Sequence, residues 1–120
     1  MTEGEILVLE DEMLIAMDIE ATLRDAGYEN LRVCSSASDA RAYLDEHTPV
    51  VAVLDVNLGR GETSFDIARE LHARGCPLLF MSGYTASTVQ LPAELDDARR
   101  LSKPFADRDL LAALSEVVPS

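Results

Sequence analysis

Apolar and polar positions alternate in blocks along this chain, and two blocks end abruptly on acids. Glu5 to Leu9 runs into Glu10-Asp11-Glu12, and Val50-Val51-Ala52-Val53-Leu54 runs into Asp55. Short runs rich in branched residues, bounded by Pro49 on one side and by Gly59 and Gly61 on the other, predict strands buried on both faces. Their acids then stand at the carboxyl ends of the strands, the edge where ligands bind in open α/β sheets. Asp residues also start turns and cap helices, so Asp55 taken alone fits either role.

From Asp11 the pattern turns helical up to Gly27, a residue suited to a helix C-terminus. A step of about 100° per residue puts Ile15, Ile19, Thr22, Leu23 and Ala26 on the face that meets the sheet. Met13, Leu14, Met17 and Ala21 fall on the opposite side, where water alone would favour polar residues. Asn30 to Cys34 predicts a short strand, and Ser36 to Asp39 starts a helix carrying Ala37, Ala40 and Leu44. Leu58 to Glu62 reads as a flexible loop, after which Thr63 or Ser64 caps a helix with Ser64, Ile67, Ala68 and Leu71 on one face. Pro77 to Ser82 predicts the fourth strand. Gly83 to Ala98 contains Pro92 and lacks a sustained stripe, so any helix there is short or irregular. A brief strand near Arg99 to Leu101 precedes Ser102-Lys103-Pro104-Phe105. A last helix from about Asp107 to Val118 buries Leu110, Leu111, Leu114, Val117 and Val118.

Five strands alternating with about five helical segments predict right-handed crossovers and a parallel sheet covered on both faces. A chain of 120 residues supplies one domain with a core of its own, so the expectation is a single domain over residues 1–120 with no output domain. A net charge of −12 opposes contact with nucleic acid phosphates or an anionic membrane and favours basic protein partners or cations. Cys34 and Cys76 form no ligand motif with His47 and His72 and read as reduced core thiols. The acidic first residues lead straight into a strand, so no signal peptide is expected, and no apolar run reaches transmembrane length. The expected setting is the cytoplasm, and a monomer is favoured.

Glu10, Asp11, Asp55, Ser82 and Lys103 collect at one sheet edge on this reading. Carboxylates brought that close repel one another and persist most easily around a hard divalent cation, with Mg²⁺ the simplest choice. Such a site admits a phosphoryl donor, makes Asp55 a candidate nucleophile, and leaves Lys103 and the Ser82 hydroxyl to meet phosphate oxygens. Singly, Lys103 is also a plausible solvated loop lysine and Ser82 a turn residue. Their joint placement on four strand ends favours the functional reading.

Leu7-Val8-Leu9-Glu10-Asp11-Glu12, Val53-Leu54-Asp55-Val56-Asn57-Leu58, Met81-Ser82-Gly83 and Ser102-Lys103-Pro104-Phe105 together resemble the receiver domain of two-component response regulators. The resemblance covers the whole chain. It implies a flavodoxin-like (βα)5 fold, a doubly wound five-stranded parallel sheet in order 2-1-3-4-5. It implies Asp55 as phosphoacceptor, Glu10 and Asp11 as the acidic pair with Asp11 touching Mg²⁺, and the Asn57 backbone carbonyl as a further metal ligand. Ser82 becomes the switch hydroxyl and Lys103 the phosphate-binding lysine, with a cis bond before Pro104. The implied function is a receiver of a phosphorelay, signalling by protein contact or acting as a phosphate shuttle, and not an enzyme in its own right.

Two positions depart from the family pattern. Gly59 stands where a proline is often found, which loosens the loop, and Arg100 stands where many receivers carry an aromatic switch residue. The switch is therefore expected to run through Ser82, Gly83 and Tyr84. Pro77 to Tyr84 is similar to the P-F-x-F-A-T-G-Y stretch of an alphaproteobacterial subgroup, with Leu78, Met81 and Ser82 replacing its F, A and T. That subgroup implies stand-alone receivers, kinases of the HWE or related type, and a link to general stress signalling. A histidine kinase or a histidine phosphotransfer protein is the partner expected, docking on Met13, Leu14, Met17 and Ala21. Two other classes compete. A Mg²⁺-dependent aspartyl-phosphate-type phosphatase usually needs a second carboxylate two residues after its nucleophile, where this chain has Asn57. A pseudo-receiver that only binds partners predicts merely solvated acids.

Overall fold

The computed structural model describes residues 4–59, 62–82, 92–95 and 98–118. Five strands, β1 (Ile6–Leu9), β2 (Leu31–Cys34), β3 (Val51–Asp55), β4 (Leu78–Ser82) and β5 (Arg99–Ser102), pair in parallel in the order 2-1-3-4-5. The order is the doubly wound one implied by the resemblance. Strands β1, β3 and β4 are buried at every position, whereas the edge strands β2 and β5 are only partly covered. This is why the central strands read as unbroken apolar runs and the edge strands do not.

Strand alternation divides the core in two. Leu7, Leu9, Ala52, Leu54 and Phe80 face α2 (Ala37–Leu44) and α3 (Phe65–Ala73), while Ile6, Val8, Val51, Val53, Leu79 and Met81 face α1 (Met13–Asp25) and α4 (Asp107–Val117). The same parity, continued past the strand ends, sends Glu10, Asp55 and Lys103 to the α1/α4 side. Lys103 follows Leu101, which packs on that cluster.

Helix ends follow local chemistry. Ser36 Oγ accepts the Asp39 N–H at 3.1 Å, and the Asp39 carboxylate accepts the Ser35 N–H at 3.2 Å, closing the start of α2. Asp109 does the same for the Ala106 N–H at the start of α4, at 3.2 Å. Gly27, at φ 100°, reverses the chain after α1.

Several details differ from the sequence expectations. Ala26 is exposed, because α1 has already ended at Asp25 and Ala26 is its C-cap. Ala16 takes its place in the buried face. Leu111, Val117 and Val118 are only partly buried, and Ala113 is buried with Leu110 and Leu114. Ser64 occupies the N-cap of α3 without a side-chain cap bond, and its buried Oγ has no hydrogen-bond partner among the described residues. Thr63 Oγ1 accepts the Phe65 N–H instead, at 3.5 Å. Four α-helices and a short 3₁₀ turn (Ala93–Leu95) stand among the described residues. Cys34 and Cys76 are buried and unbridged, as expected for core thiols, and burial pushes each thiol up to about 11.

Candidate functional site

The carboxyl ends of β1 and β3 bring Glu10, Asp11 and Asp55 together, with one oxygen from each lying within 4.8 Å of the others. Glu10 and Asp55 are buried, and Asp11 is exposed at the mouth. Lys103 enters from the end of β5. Its Nζ donates to Glu10 Oε1 at 2.6 Å and to Asp55 Oδ2 at 3.1 Å. The second Glu10 oxygen, Oε2, accepts the Glu12 N–H at 3.1 Å. Glu10 is thus engaged at both oxygens.

These contacts set the electrostatics. Burial raises Glu10 to about 7, opposed by the Lys103 hydrogen bond and the Glu12 N–H and reinforced by the charge on Asp55. Burial also raises Asp55, against the pull of the Lys103 charge. For Lys103, burial works downward, but the hydrogen bond to Glu10 and the Asp55 charge outweigh it and hold the amine above its ordinary value. Three carboxylates meet a single ammonium among the described residues, so negative charge is left uncompensated. The donor set is all hard oxygen, open at Asp11, and fits a cation of the Mg²⁺ kind, which binds through one or two carboxylates and keeps positions for water and phosphate oxygens.

The other expected residues are placed as follows. Ser82 is buried at the end of β4, one residue beyond the Met81 that pairs with Asp55, and its carbonyl accepts the Lys103 N–H at 2.7 Å. Its strand parity matches Leu78 and Phe80, so it belongs to the opposite face from Glu10 and Asp55. Asn57 is exposed and bridges antiparallel to Thr63. The Lys103-Pro104 bond is cis, as the resemblance implies. Gly83 and Tyr84, the expected switch partners of Ser82, lie outside the described residues. Met13, Leu14 and Met17 are 65%, 81% and 57% exposed, and Ala21 is exposed beside them.

Two features of the site are not in the sequence reading. A groove of about 480 Å³ runs between Leu14, Ile15 and Ile19 of α1 and the Lys103–Phe105 turn, joining the exposed face of α1 to the lysine that touches Asp55. Phe105, the residue after the cis proline, was the available signal. Secondly, hydrogen bonds join the described ends of the loop after β3, while Arg60 and Gly61, within the stretch expected to be loose, lie outside the described residues. The Leu58 N–H donates to the Glu62 carbonyl and the Glu62 N–H to the Gly59 carbonyl, both at 2.9 Å.

The family model described as "Response regulator receiver domain" matches residues 6–115. The solution structure of SdrG from Sphingomonas melonis Fr1 is similar, with a TM-score of 0.79 and 33% identity over 93% of this chain and 93% of that one. The phyllosphere-induced regulator PhyR of Methylorubrum extorquens is 29% identical over 95% of this chain and 43% of its own length. The transcriptional regulatory protein PdtaR of Mycobacterium tuberculosis is 29% identical over 94% of this chain and 56% of its own. The chain spans about half the length of these curated relatives.

Proposed function

The chain belongs to the response regulator receiver domain family of two-component systems, and from that premise we propose that Asp55 accepts a phosphoryl group from a protein histidine. The observation that carries the reading is the Lys103 ammonium held between Glu10 Oε1 and Asp55 Oδ2, at 2.6 and 3.1 Å, beside the open carboxylate of Asp11. Receiver domains bind Mg²⁺ at an acidic pocket, and Asp11 and Asp55, with the backbone carbonyl of Asn57, are the groups proposed to hold it here. A bound Mg²⁺ would neutralise charge on the phosphoryl oxygens.

In the proposed step an Asp55 carboxylate oxygen attacks phosphorus. The phosphohistidine ring, protonated on its other nitrogen, keeps the electron pair of the breaking P–N bond and leaves as neutral imidazole. Asp55 is then an acyl phosphate. Lys103, already charged and aimed at Asp55, meets a phosphoryl oxygen and exchanges one anionic partner for another. Glu10 orients Lys103 through the short bond. Ser82, at the neighbouring strand end but of the opposite parity, is the hydroxyl proposed to sense the new group by turning toward it, with Gly83 and Tyr84 carrying the change onward.

The donor is proposed to be a histidine kinase or a phosphotransfer protein, seated on Met13, Leu14, Met17 and Ala21 and reaching Asp55 along the groove that ends at Lys103 and Phe105. The likeness of Pro77 to Ser82 to the P-F-x-F-A-T stretch favours a kinase of the HWE or related type. No described helix is long and apolar enough to cross a membrane, and the exchange is proposed to occur in the cytoplasm. The test is incubation with Mg²⁺ and a small acyl phosphate, followed by intact mass. A phosphoryl adduct on Asp55 that hydroxylamine removes is expected. A protein that stays unlabelled under conditions that label other receivers overturns the reading.

A further inference from the structure

Asp11 is the one member of the acidic cluster that among the described residues no hydrogen bond holds in place. Glu10 is fixed at both oxygens, and Asp55 is fixed by Lys103. What meets the Asp11 carboxylate is the loop after β3. Asn57 bridges to Thr63, and the bonds from Leu58 to Glu62 and from Glu62 to Gly59 tie the two described ends of the loop together. The closure holds Gly59 at φ +81° with its Cα turned to the acid, so that a β-carbon there would stand 3.2 Å from Asp11 Oδ2. That is closer than ordinary van der Waals contact between carbon and oxygen. A positive φ explains why glycine is comfortable at this position. It does not account for the acid on the side where a β-carbon would stand.

We propose that Gly59 is a positioning residue for the divalent cation: the loop borders the exposed Asp11 carboxylate on one side, and the missing side chain leaves the space in which it stays within reach of Asp55. The inference rests on the proposed metal-assisted function. In this loop conformation a β-carbon at residue 59 crowds Asp11 Oδ2 and shifts the carboxylate by a few tenths of an ångström, weakening the cation site while leaving Asp55 and Lys103 where they are.

The experiment measures Mn²⁺ binding by electron paramagnetic resonance and, separately, the Mg²⁺ dependence of acyl-phosphate labelling, in wild type and Gly59→Ala. Expected is a loss of Mn²⁺ affinity and a matching rise in the half-saturating Mg²⁺ concentration, each on the order of tenfold, the size that disturbing the support of a metal ligand commonly produces. The labelling rate at saturating Mg²⁺ is expected to match wild type, a split that general loosening of the fold does not give. Thermal melts in EDTA supply a second readout. The penalty of Gly59→Ala is expected to shrink in an Asp11→Ala background, where Oδ2 is gone and only the backbone conformation remains. If Gly59→Ala does not fold, the double variant decides: recovery of the fold supports the contact, and failure of both overturns it. Unchanged Mn²⁺ affinity, or an equal melting penalty in both backgrounds, also overturns the proposal while wild-type labelling stands. A wild-type protein that neither binds Mn²⁺ nor labels overturns the proposed function and this inference with it.

Discussion

Lys103 Nζ lies closer to Glu10 Oε1, at 2.6 Å, than to Asp55 Oδ2, at 3.1 Å, so in the metal-free protein the lysine is above all the counter-ion of the most buried acid. Lys103→Ala leaves Glu10 with a single backbone N–H and no cation. A loss of roughly 1–3 kcal/mol is expected in EDTA, the cost of a buried polar group left short of a partner. The loss depends on pH. Glu10 titrates near 4.5 ordinarily and near 7 in the fold, so the folded state binds its proton more tightly and the contribution to stability is fully present below about 4.5 and is lost as pH rises through about 7. Without Lys103 the carboxyl rises further. Urea melts should therefore show a larger deficit for Lys103→Ala at about pH 8 than at about pH 5.5. A deficit independent of pH would mean that Lys103 does not compensate Glu10.

Asp55→Asn separates the chemistry from the fold. It removes the proposed nucleophile, so acyl-phosphate labelling should vanish. Its effect on stability runs the other way. Burial raises Asp55 despite Lys103, which means the fold disfavours the ionised form, and a neutral amide of the same size relieves that cost. The metal-free variant should melt higher than wild type by about 2–5 °C, and Mg²⁺ should narrow the difference by stabilising wild type more. Calorimetry with and without Mg²⁺ reads both effects. A variant that melts lower in EDTA would show that the Lys103–Asp55 pair outweighs the repulsion.

Arg74 ties the two helices on the far face of the sheet. From the C-terminus of α3 it donates to the Leu44 carbonyl at 2.9 Å, the His47 carbonyl at 3.0 Å and Thr48 Oγ1 at 2.9 Å, and it pairs with Glu70. It therefore satisfies carbonyls at and beyond the end of α2. Arg74→Ala should cost about 1–2 kcal/mol in urea unfolding and leave acyl-phosphate labelling unchanged, since the site lies at the other end of the strands. Arg74→Lys should recover little, because one ammonium cannot span the same acceptors as a planar guanidinium. Full recovery with lysine would reduce the role of Arg74 to its charge.

The strands of this fold are legible because the central ones are buried on both faces. Ile6 to Leu9 and Val51 to Leu54 announce themselves by lacking polar residues, and their terminal acids, Glu10 and Asp55, mark the site. Lys103 is placed by its two-residue step from Leu101. What the sequence hides depends on three-dimensional closure. Gly59 reads as slack in a loop, yet the Glu62 N–H holds its carbonyl, and a β-carbon there would crowd Asp11 Oδ2. Ser64 reads as a cap because serine is common there, but its hydroxyl turns into the core and Thr63 takes over. Ala26 falls on the apolar side of a helical wheel, but the helix ends one residue too soon to bury it. Composition and spacing do not carry that information.

The exposed face of α1 gives the last prediction. Met13, Leu14 and Met17 present their side chains to water at the mouth of the acidic site, and the groove beside Leu14 leads to Lys103 and Phe105. Scattered surface apolar residues need no explanation, but a patch rimmed by the Glu20–Arg24 ion pair and continuous with a groove does. Methionines adapt to more than one contour, as a site serving a donor and a downstream partner requires. Met17→Glu places a charge in the middle of the patch without touching Asp11, Asp55 or Lys103. It should slow phosphotransfer from the cognate histidine donor by on the order of tenfold, the loss of a contact worth about 1.4 kcal/mol, and leave labelling by the small acyl phosphate unchanged. The two rates, measured on the same preparation, separate docking from chemistry. Equal slowing of both would place the damage in the site or the fold, and no change in either would show that the donor reaches Asp55 by another face.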